Sequence, residues 1–204
     1  HAARLGEAKD GETHVIMGAG IIGLGILQCI KASSSASVIL VDLSSKRLAK
    51  AKELGADVTI NAGDKNAVDE VLALTGSTRL NVVEAVQGNV DAVYDCAGFG
   101  KNFKGISVLE QAMSMVRQNG KVVVVAVFEQ DVTIDYNMVV RKGIRVVGSW
   151  AWNREEFIEA FQLISSGKVD RKPLVSHTFK LEQASEAYET QLLAEEAIKV
   201  VFTP

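Results

Sequence analysis

Short apolar runs alternate with amphipathic stretches along most of the chain. Several runs are apolar at consecutive positions, a pattern typical of strands buried on both faces of a parallel sheet. The predicted strands are HVIMGA (14–19), SVILVD (37–42), DVTINA (57–62), AVYDCAG (92–98), KVVVVAVF (121–128) and IRVVGSW (144–150).

Amphipathic helices are predicted between these strands. Residues 45–56 place Leu48, Ala51 and Leu54 on one stripe, and Gly55 ends the helix. Residues 107–120 are predicted to form a second amphipathic helix, which ends at Asn119-Gly120. Because parallel strands need long crossovers, which such helices supply, the pattern predicts an α/β fold with a doubly wound, six-stranded parallel sheet of the Rossmann type.

Two further regions have a different character. Residues 66–91 are predicted to form one or two helices with a turn at 75–77. Residues 153–167 open on Asn153 as a helix cap and carry an apolar stripe; its members are Phe157, Ala160, Phe161 and Ile164. A short tail follows, with a strand at 174–179, a helix at 181–193 and a strand at 197–202.

Composition and charge narrow the class of protein. The 204 residues are 48% apolar and 23% charged, which is ordinary for globular proteins. A net charge of −3 gives no reason to expect a nucleic acid or an anionic membrane as partner. Two cysteines are too few for a disulfide framework. The chain lacks an initiator Met and a signal peptide, so we expect a cytoplasmic protein cut from a longer chain.

The segment GAGIIG (18–23) fits the spacing G-x-G-x-x-G between a predicted strand and a helix. In that motif Gly18 permits the tight turn, Gly20 lets a pyrophosphate approach the backbone, and Gly23 lets the helix pack close to the strand. The helix that begins near Ile21 offers free N–H groups and the positive end of its dipole. The motif therefore predicts a phosphate cradle.

Asp42 ends the second strand about 20 residues after the glycines, where dinucleotide folds place an acid on the adenosine ribose. The alternative is that the glycines only form a turn and that Asp42 caps the helix opening at Ser44. A carboxylate beside a 2′-phosphate costs up to about 4 kcal/mol, so NAD is favoured over NADP. Lys46 and Arg47 leave room for NADP; Arg47 either packs by the adenine or ribose or stays solvated.

The sequence offers few candidates for catalysis. Neither C-x-x-C nor H-E-x-x-H occurs, so a zinc site within this chain is not expected. No tyrosine is followed four residues later by lysine. His177 is interpreted as structural or exposed. Cys96 ends the fourth strand and is expected to line the cofactor pocket without acting as a nucleophile, because nothing nearby in sequence activates its thiolate.

Three segments together resemble the carboxyl-terminal part of medium-chain, zinc-type alcohol dehydrogenases, especially the sorbitol, butanediol and threonine dehydrogenase types. They are GAGIIG, VILVDLSSKRLAKAKELGADVTIN and VVRKGIRVVGSWAWNREEF. The resemblance implies an NAD-binding domain over residues 1–168 and a segment, 169–204, that returns to a catalytic domain. In that family the catalytic domain, with its zinc ligands, comes mostly from an amino-terminal half, and that half is absent here.

The resemblance also implies residue roles, an alcohol or polyol as substrate of the full-length enzyme, and a homo-oligomer paired through the nucleotide-binding domains. By motif, the pyrophosphate is cradled by Gly18, Gly20, Ile21, Ile22 and Gly23, and the ribose is held by Asp42 and Arg47. The nicotinamide is bordered by Cys96, Ala97, Ala126 and Val127, and its carboxamide is met by Ser149 and Ala151. No catalytic or metal-binding residue is assigned in this chain, so we expect it to bind NAD without turning over substrate.

Two other functions fit the glycine motif. One is a stand-alone NAD-sensing regulatory module, which is usually shorter and leaves the segment after residue 140 unexplained. The other is a methyltransferase that uses S-adenosylmethionine, whose glycine loop and strand-end acid look similar. Ile21, Ile22 and the third glycine favour a pyrophosphate ligand over the latter.

Overall fold

The computed structural model describes residues 1–80, 85–101 and 105–204. Its strands are β1 (Thr13–Met17), β2 (Ser37–Asp42), β3 (Val58–Asn61), β4 (Ser77–Leu80), β5 (Ala85–Gly88), β6 (Val90–Asp95), β7 (Val116–Val124), β8 (Arg145–Gly148), β9 (Val175–Lys180) and β10 (Lys199–Thr203). Its α-helices are α1 (Ala2–Gly6), α2 (Ile21–Ser33), α3 (Ser45–Glu53), α4 (Ala67–Thr75), α5 (Val108–Met115), α6 (Asn137–Lys142), α7 (Arg154–Ser165) and α8 (Ala184–Leu192).

Six strands form one parallel sheet in the order β3-β2-β1-β6-β7-β8. The predicted doubly wound parallel sheet is therefore confirmed. The chain leaves β1 first toward β2 and β3 and later returns to its other side with β6, so the strand order reverses between β1 and β6. Such a switch point, at the carboxyl ends of the strands, is where open α/β sheets bind ligands.

The core lies on both faces of this sheet. One face buries α2 against the strands, with Ile16, Leu27 and Leu40 shielded from solvent. The other buries α4 and α5, with Val15 and Met113 among its members. Consecutive residues of β1 thus enter opposite clusters, which explains why its sequence is apolar without alternation.

Of the one or two helices predicted within residues 66–91, the described residues form one, α4, which ends at the predicted turn. After α4, strands β4 and β5 pair antiparallel as a hairpin, and residues 81–84 of this segment lie outside the described residues. Gly76, with φ of +77°, ends the helix in a conformation that favours glycine. Gly88 lets β5 approach the end of α5, since a Cβ there would lie 2.1 Å from the carbonyl oxygen of Met115.

The helix predicted over 107–120 ends early, at Met115, and β7 begins at Val116. Asn119 has φ of +58°, and the register of β6 and β7 shifts between Val90 and Ala92, so an irregularity replaces the last helical turn. Lys142 stabilises the new helix end, because its ammonium donates to the carbonyl oxygens of Met113 and Ser114 at 2.5 and 3.2 Å. Burial lowers the pKa of Lys142 to about 8.

The Asn153 cap predicted for α7 is confirmed as a capping box. Its side chain accepts from Glu156 N at 2.9 Å, and Glu156 accepts from Asn153 N at 2.9 Å. The apolar stripe of α7 faces outward, however, with Phe157 60% and Phe161 67% exposed. Strand β8 is an edge of the sheet, and the two tryptophans that follow it are also exposed.

The tail forms the predicted strand, helix and strand, and β9 and β10 pair in parallel as a separate small sheet. Leu174 and Ile198 of the tail are buried in the same cluster as α2. The Gln28 amide donates to the carbonyl oxygen of Asp170 at 2.7 Å, which fixes the start of the tail on α2. Among the helices within the described ranges, none is long and apolar enough to cross a membrane.

Candidate functional site

The loops that follow β1 and β6 meet at the switch point of the sheet. Gly18 N donates to the Val41 carbonyl at 2.7 Å, and Cys96 N donates to the Met17 carbonyl at 2.9 Å. A Cβ on Gly18 would lie 3.1 Å from the Cys96 carbonyl carbon. Close backbone contact at Gly18 therefore joins the loops after β1 and β6. The space between these two loops, at the carboxyl ends of the strands, is called the crevice below.

The three motif glycines have distinct surroundings. Gly18 has φ of +110°, which the tight turn after β1 requires. A Cβ on Gly23 would lie 1.9 Å from the Gly18 carbonyl oxygen, so only glycine lets α2 pack against this turn. A Cβ on Gly20 would meet no atom within 4 Å, and the space above the start of α2 is open. The turn thus leaves room for a phosphate beside the helix N-terminus.

Asp42 joins the end of β2 to the glycine turn. One carboxylate oxygen accepts from Ala19 N at 2.5 Å, and the other accepts from Ser44 N at 2.8 Å. The cap of α3 is Ser44, whose hydroxyl accepts from Arg47 N at 3.2 Å, so Asp42 is not the helix cap of the alternative interpretation and its second bond closes the turn before the helix. The carboxylate is half-buried beside the turn, at the end of β2.

The two basic residues after Asp42 are held by the tail. The Lys46 ammonium donates to the Glu196 carbonyl at 2.5 Å. Arg47 donates to the Ala197 carbonyl from Nε at 3.2 Å and from Nη2 at 2.7 Å. The structure therefore places Arg47 against the tail backbone, a contact that the sequence did not predict.

Asp95, which was not among the predicted site residues, ends β6 at the switch point. Its buried side chain accepts from Ala97 N at 3.2 Å and Gly98 N at 2.9 Å, and its carbonyl accepts from Val125 N and Ala126 N at 2.9 and 3.0 Å. Asp95 thus ties together the loops after β6 and β7. The signal was available, because a carboxylate ending an apolar strand needs polar partners. Burial raises the pKa of this carboxyl.

The residues predicted to border the nicotinamide lie on the loops after β6 and β7, which the hydrogen bonds of Asp95 hold together. Ala97 and Ala126 lie on the two loops that Asp95 joins, and a Cβ on Gly98 would lie 2.9 Å from the Val127 carbonyl oxygen. Ser149 N donates to the Val124 carbonyl at 2.8 Å, which places the start of the next loop beside the end of β7. Ala151 follows with φ of +56°.

The described cysteine and histidine side chains, the usual metal ligands and nucleophiles, are dispersed over the fold. Burial raises the pKa of the Cys96 thiol, and the same cause raises that of Cys29 on α2. His14 is buried at the start of β1, 3.1 Å from Glu12 and 3.3 Å from the Tyr94 hydroxyl. His177 stacks on a phenylalanine of the tail. Within the ranges described, no three His, Cys, Asp or Glu side chains come close enough to hold a metal.

A polar depression lies at the opposite end of the sheet, near the amino ends of β6 and β7. Its charges are largely neutralised internally, since Arg117 pairs with Asp91 at 2.7 Å and Lys121 pairs with Glu7. The crevice at the carboxyl ends of the strands is therefore the better candidate for a ligand site.

Comparison with known proteins places this geometry in context. The family model described as "Zinc-binding dehydrogenase" matches residues 22–166. The sorbitol dehydrogenase of Arabidopsis thaliana is 32% identical over 208 residues, covering 99% of this chain and 52% of the relative. The chain thus spans about half the length of the curated relatives it matches.

Solved structures agree over the whole chain. The 2R,3R-butanediol dehydrogenase of Bacillus subtilis superposes with a TM-score of 0.81 at 26% identity, covering 100% of this chain and 54% of that one. A putative zinc-binding dehydrogenase of Sinorhizobium meliloti 1021, bound to NADP, superposes with a TM-score of 0.82 at 25% identity, covering 100% and 56%.

Proposed function

The chain belongs to the zinc-binding dehydrogenase family, and on that premise we propose that it is the NAD(H)-binding part of an enzyme that oxidises alcohols or polyols. The observation that carries this proposal is the glycine turn tied to Asp42, with open space above Gly20 and the start of α2. The comparisons give no support to a regulatory module or a methyltransferase, because the relatives they match are dehydrogenases.

Each part of the crevice has a proposed task. The backbone N–H groups at Ile21 and Ile22 bind the pyrophosphate, helped by the dipole of α2. Asp42 accepts hydrogen bonds from the ribose hydroxyls. The loops joined by Asp95 shape the pocket for the nicotinamide, with the residues after β8 at the carboxamide. When bound, NAD supplies the hydride acceptor.

A catalytic zinc does not fit the residues present. Among the described residues, no three His, Cys, Asp or Glu side chains come together, and the imidazole of His14 is buried at the start of β1. We therefore assign no step to a metal in this chain. We also propose that residues 1–168 form the nucleotide-binding domain, that 169–204 return toward a catalytic domain, and that the protein is cytoplasmic.

We predict that the chain binds NADH more tightly than NADPH. A carboxylate meeting a 2′-phosphate at about 4 Å costs up to about 4 kcal/mol, which solvent reduces. Lys46 and Arg47 keep their charges, but their donor groups are engaged by tail carbonyls, so they are not free to hydrogen-bond a 2′-phosphate. Titrations that follow the fluorescence of each cofactor should show at least a tenfold preference, about 1.4 kcal/mol.

Asp42→Ala should remove most of that preference, whereas Asp64→Ala, which changes an exposed acid on the loop after β3, should leave it intact. Equal affinities for the two cofactors in the unmodified chain, unchanged by Asp42→Ala, would contradict the role of this residue. A preference for NADPH would point instead to Arg47 releasing the tail.

We further propose that two copies pair through the free edge of β8. The strand ends the sheet on one side, and Val146, Trp150 and Trp152 beside it are 42%, 81% and 67% exposed. A second copy of the strand would extend the sheet across a two-fold axis and cover these side chains.

Sedimentation at tens of micromolar should therefore show a dimer. Val146→Lys should shift the species to monomer, because a charge on an edge strand disfavours strand pairing. Val140→Lys, which alters an exposed residue of α6, serves as the control and should leave the dimer intact. A monomer in the unmodified chain at these concentrations would contradict the proposal.

A further inference from the structure

Arg171 is a half-buried cation at the start of the tail, and none of the roles assigned above uses it. Its Nη2 donates to the carbonyl oxygen of Ile21 at 2.8 Å, in the first turn of α2. The backbone beneath it is fixed, because Gln28 holds the neighbouring Asp170 carbonyl at 2.7 Å. The guanidinium is thus anchored on the flank of the first two turns of α2, next to the turn that forms the phosphate cradle.

Helix α2 makes room for this side chain at Gly25. A Cβ on Gly25 would lie 2.6 Å from Nη1 of Arg171 and 3.3 Å from its Cζ. Gly25 sits inside a helix, where glycine costs about 1 kcal/mol relative to alanine. The contact explains the glycine, since alanine would push the guanidinium off the helix face.

The charge of Arg171 has no acidic partner nearby. Within the part of the chain that the structure describes, no carboxylate lies within 4.0 Å of it, and burial raises the pKa of the neighbouring Cys29 thiol, which disfavours a thiolate partner. A cation near a helix N-terminus is repelled by the helix dipole. The hydrogen bond to the Ile21 carbonyl offsets that repulsion, and an anion bound at the same helix end adds a further favourable interaction.

We propose that Arg171 is a phosphate-binding determinant that acts through its field, by placing a fixed positive charge behind the cradle for the cofactor pyrophosphate. The inference rests on the proposed function, since it requires that the crevice binds a dinucleotide. Arg171 adds to the dipole of α2 and to the N–H groups of its first turn. Because it holds the Ile21 carbonyl, it also keeps that turn in place.

The test compares ligands with and without phosphate. NADH affinity is measured by fluorescence, and ADP and adenosine are measured by displacement of NADH, each at low and high ionic strength. Arg171→Met should weaken NADH and ADP about fivefold to tenfold, leave adenosine unchanged, and flatten the salt dependence. Arg171→Lys, which keeps the charge, should recover most of the affinity. Lys172→Met removes an exposed cation of the same segment and serves as the control.

Gly25→Ala is a second route to the same answer should Arg171→Met fail to fold. The added methyl displaces the guanidinium without removing its charge, so NADH and ADP should weaken while adenosine does not. Folded variants that bind ADP and NADH as the unmodified chain does, with the same salt dependence, would overturn the inference alone. An unmodified chain that binds no NADH would overturn the proposed function as well.

Discussion

Gly23→Ala is expected to lower NADH affinity about a hundredfold, equivalent to about 2.8 kcal/mol, and to lower the free energy of unfolding by about 1–3 kcal/mol. The added Cβ would stand 1.9 Å from the Gly18 carbonyl oxygen and 3.1 Å from the Ile16 side chain. Neither neighbour can yield easily, because one is backbone in a tight turn and the other is core. The start of α2 must therefore move away from the cradle.

Two other glycines separate the effects on folding and on binding. Gly20→Ala should unfold like the unmodified protein yet bind NADH less well, because its Cβ enters open space that the pyrophosphate needs. Gly148→Ala adds a methyl in open space on an edge strand and should leave the free energy of unfolding unchanged. Chemical denaturation and NADH titration of all three variants provide the measurement. A Gly23→Ala protein with normal stability and affinity would show that the turn is not where the cofactor binds.

The 204-residue chain alone is expected to bind NAD without reducing it at a measurable rate. In zinc-dependent dehydrogenases a metal polarises the alcohol or carbonyl, an effect worth several kcal/mol, and a closed crevice excludes water. Here Cys96 has a raised pKa, and His14 is engaged with Glu12 and Tyr94. Loss of about 7 kcal/mol of transition-state stabilisation lowers a rate by about five orders of magnitude.

Absorbance at 340 nm reports this outcome directly. The purified chain is mixed with NAD, zinc and a panel of sorbitol, diols and simple alcohols, and Cys96→Ser is run beside it. Both proteins should give the background rate. Steady zinc-dependent formation of NADH that Cys96→Ser abolishes would reveal a catalytic site in this chain.

The sheet could be predicted from sequence because its strands are continuous apolar runs, which few structures besides a doubly covered parallel sheet can bury. SVILVD, for example, forms β2 with the predicted bounds. The hairpin β4–β5 was missed because its residues carry no strict alternation and follow directly on a helical pattern. The early end of α5 was missed because Val116 and Arg117 are compatible with a helix, and only pairing with β6 favours the strand.

Some residues of the crevice could likewise be predicted from the sequence, and others could not. The glycine turn and Asp42 could be predicted because a fixed spacing of residues dictates their geometry. The contacts of Arg47 with Ala197 and of Arg171 with Ile21 join residues about 150 positions apart, so no local sequence pattern predicts them. Asp95 stands between these cases, since its position at a strand end was visible but its partners were not.

Because Arg171 packs against Gly25, we expect positions 25 and 171 to co-vary among related proteins. A lineage that acquires a larger residue at position 25 gains helix propensity but must first lose the arginine at 171 or accept its displacement. A lineage that loses the arginine leaves an unfilled notch on α2, which a branched side chain at 25 can then fill. Related proteins should therefore alternate between two matched pairs at these positions, with mismatched combinations selected against.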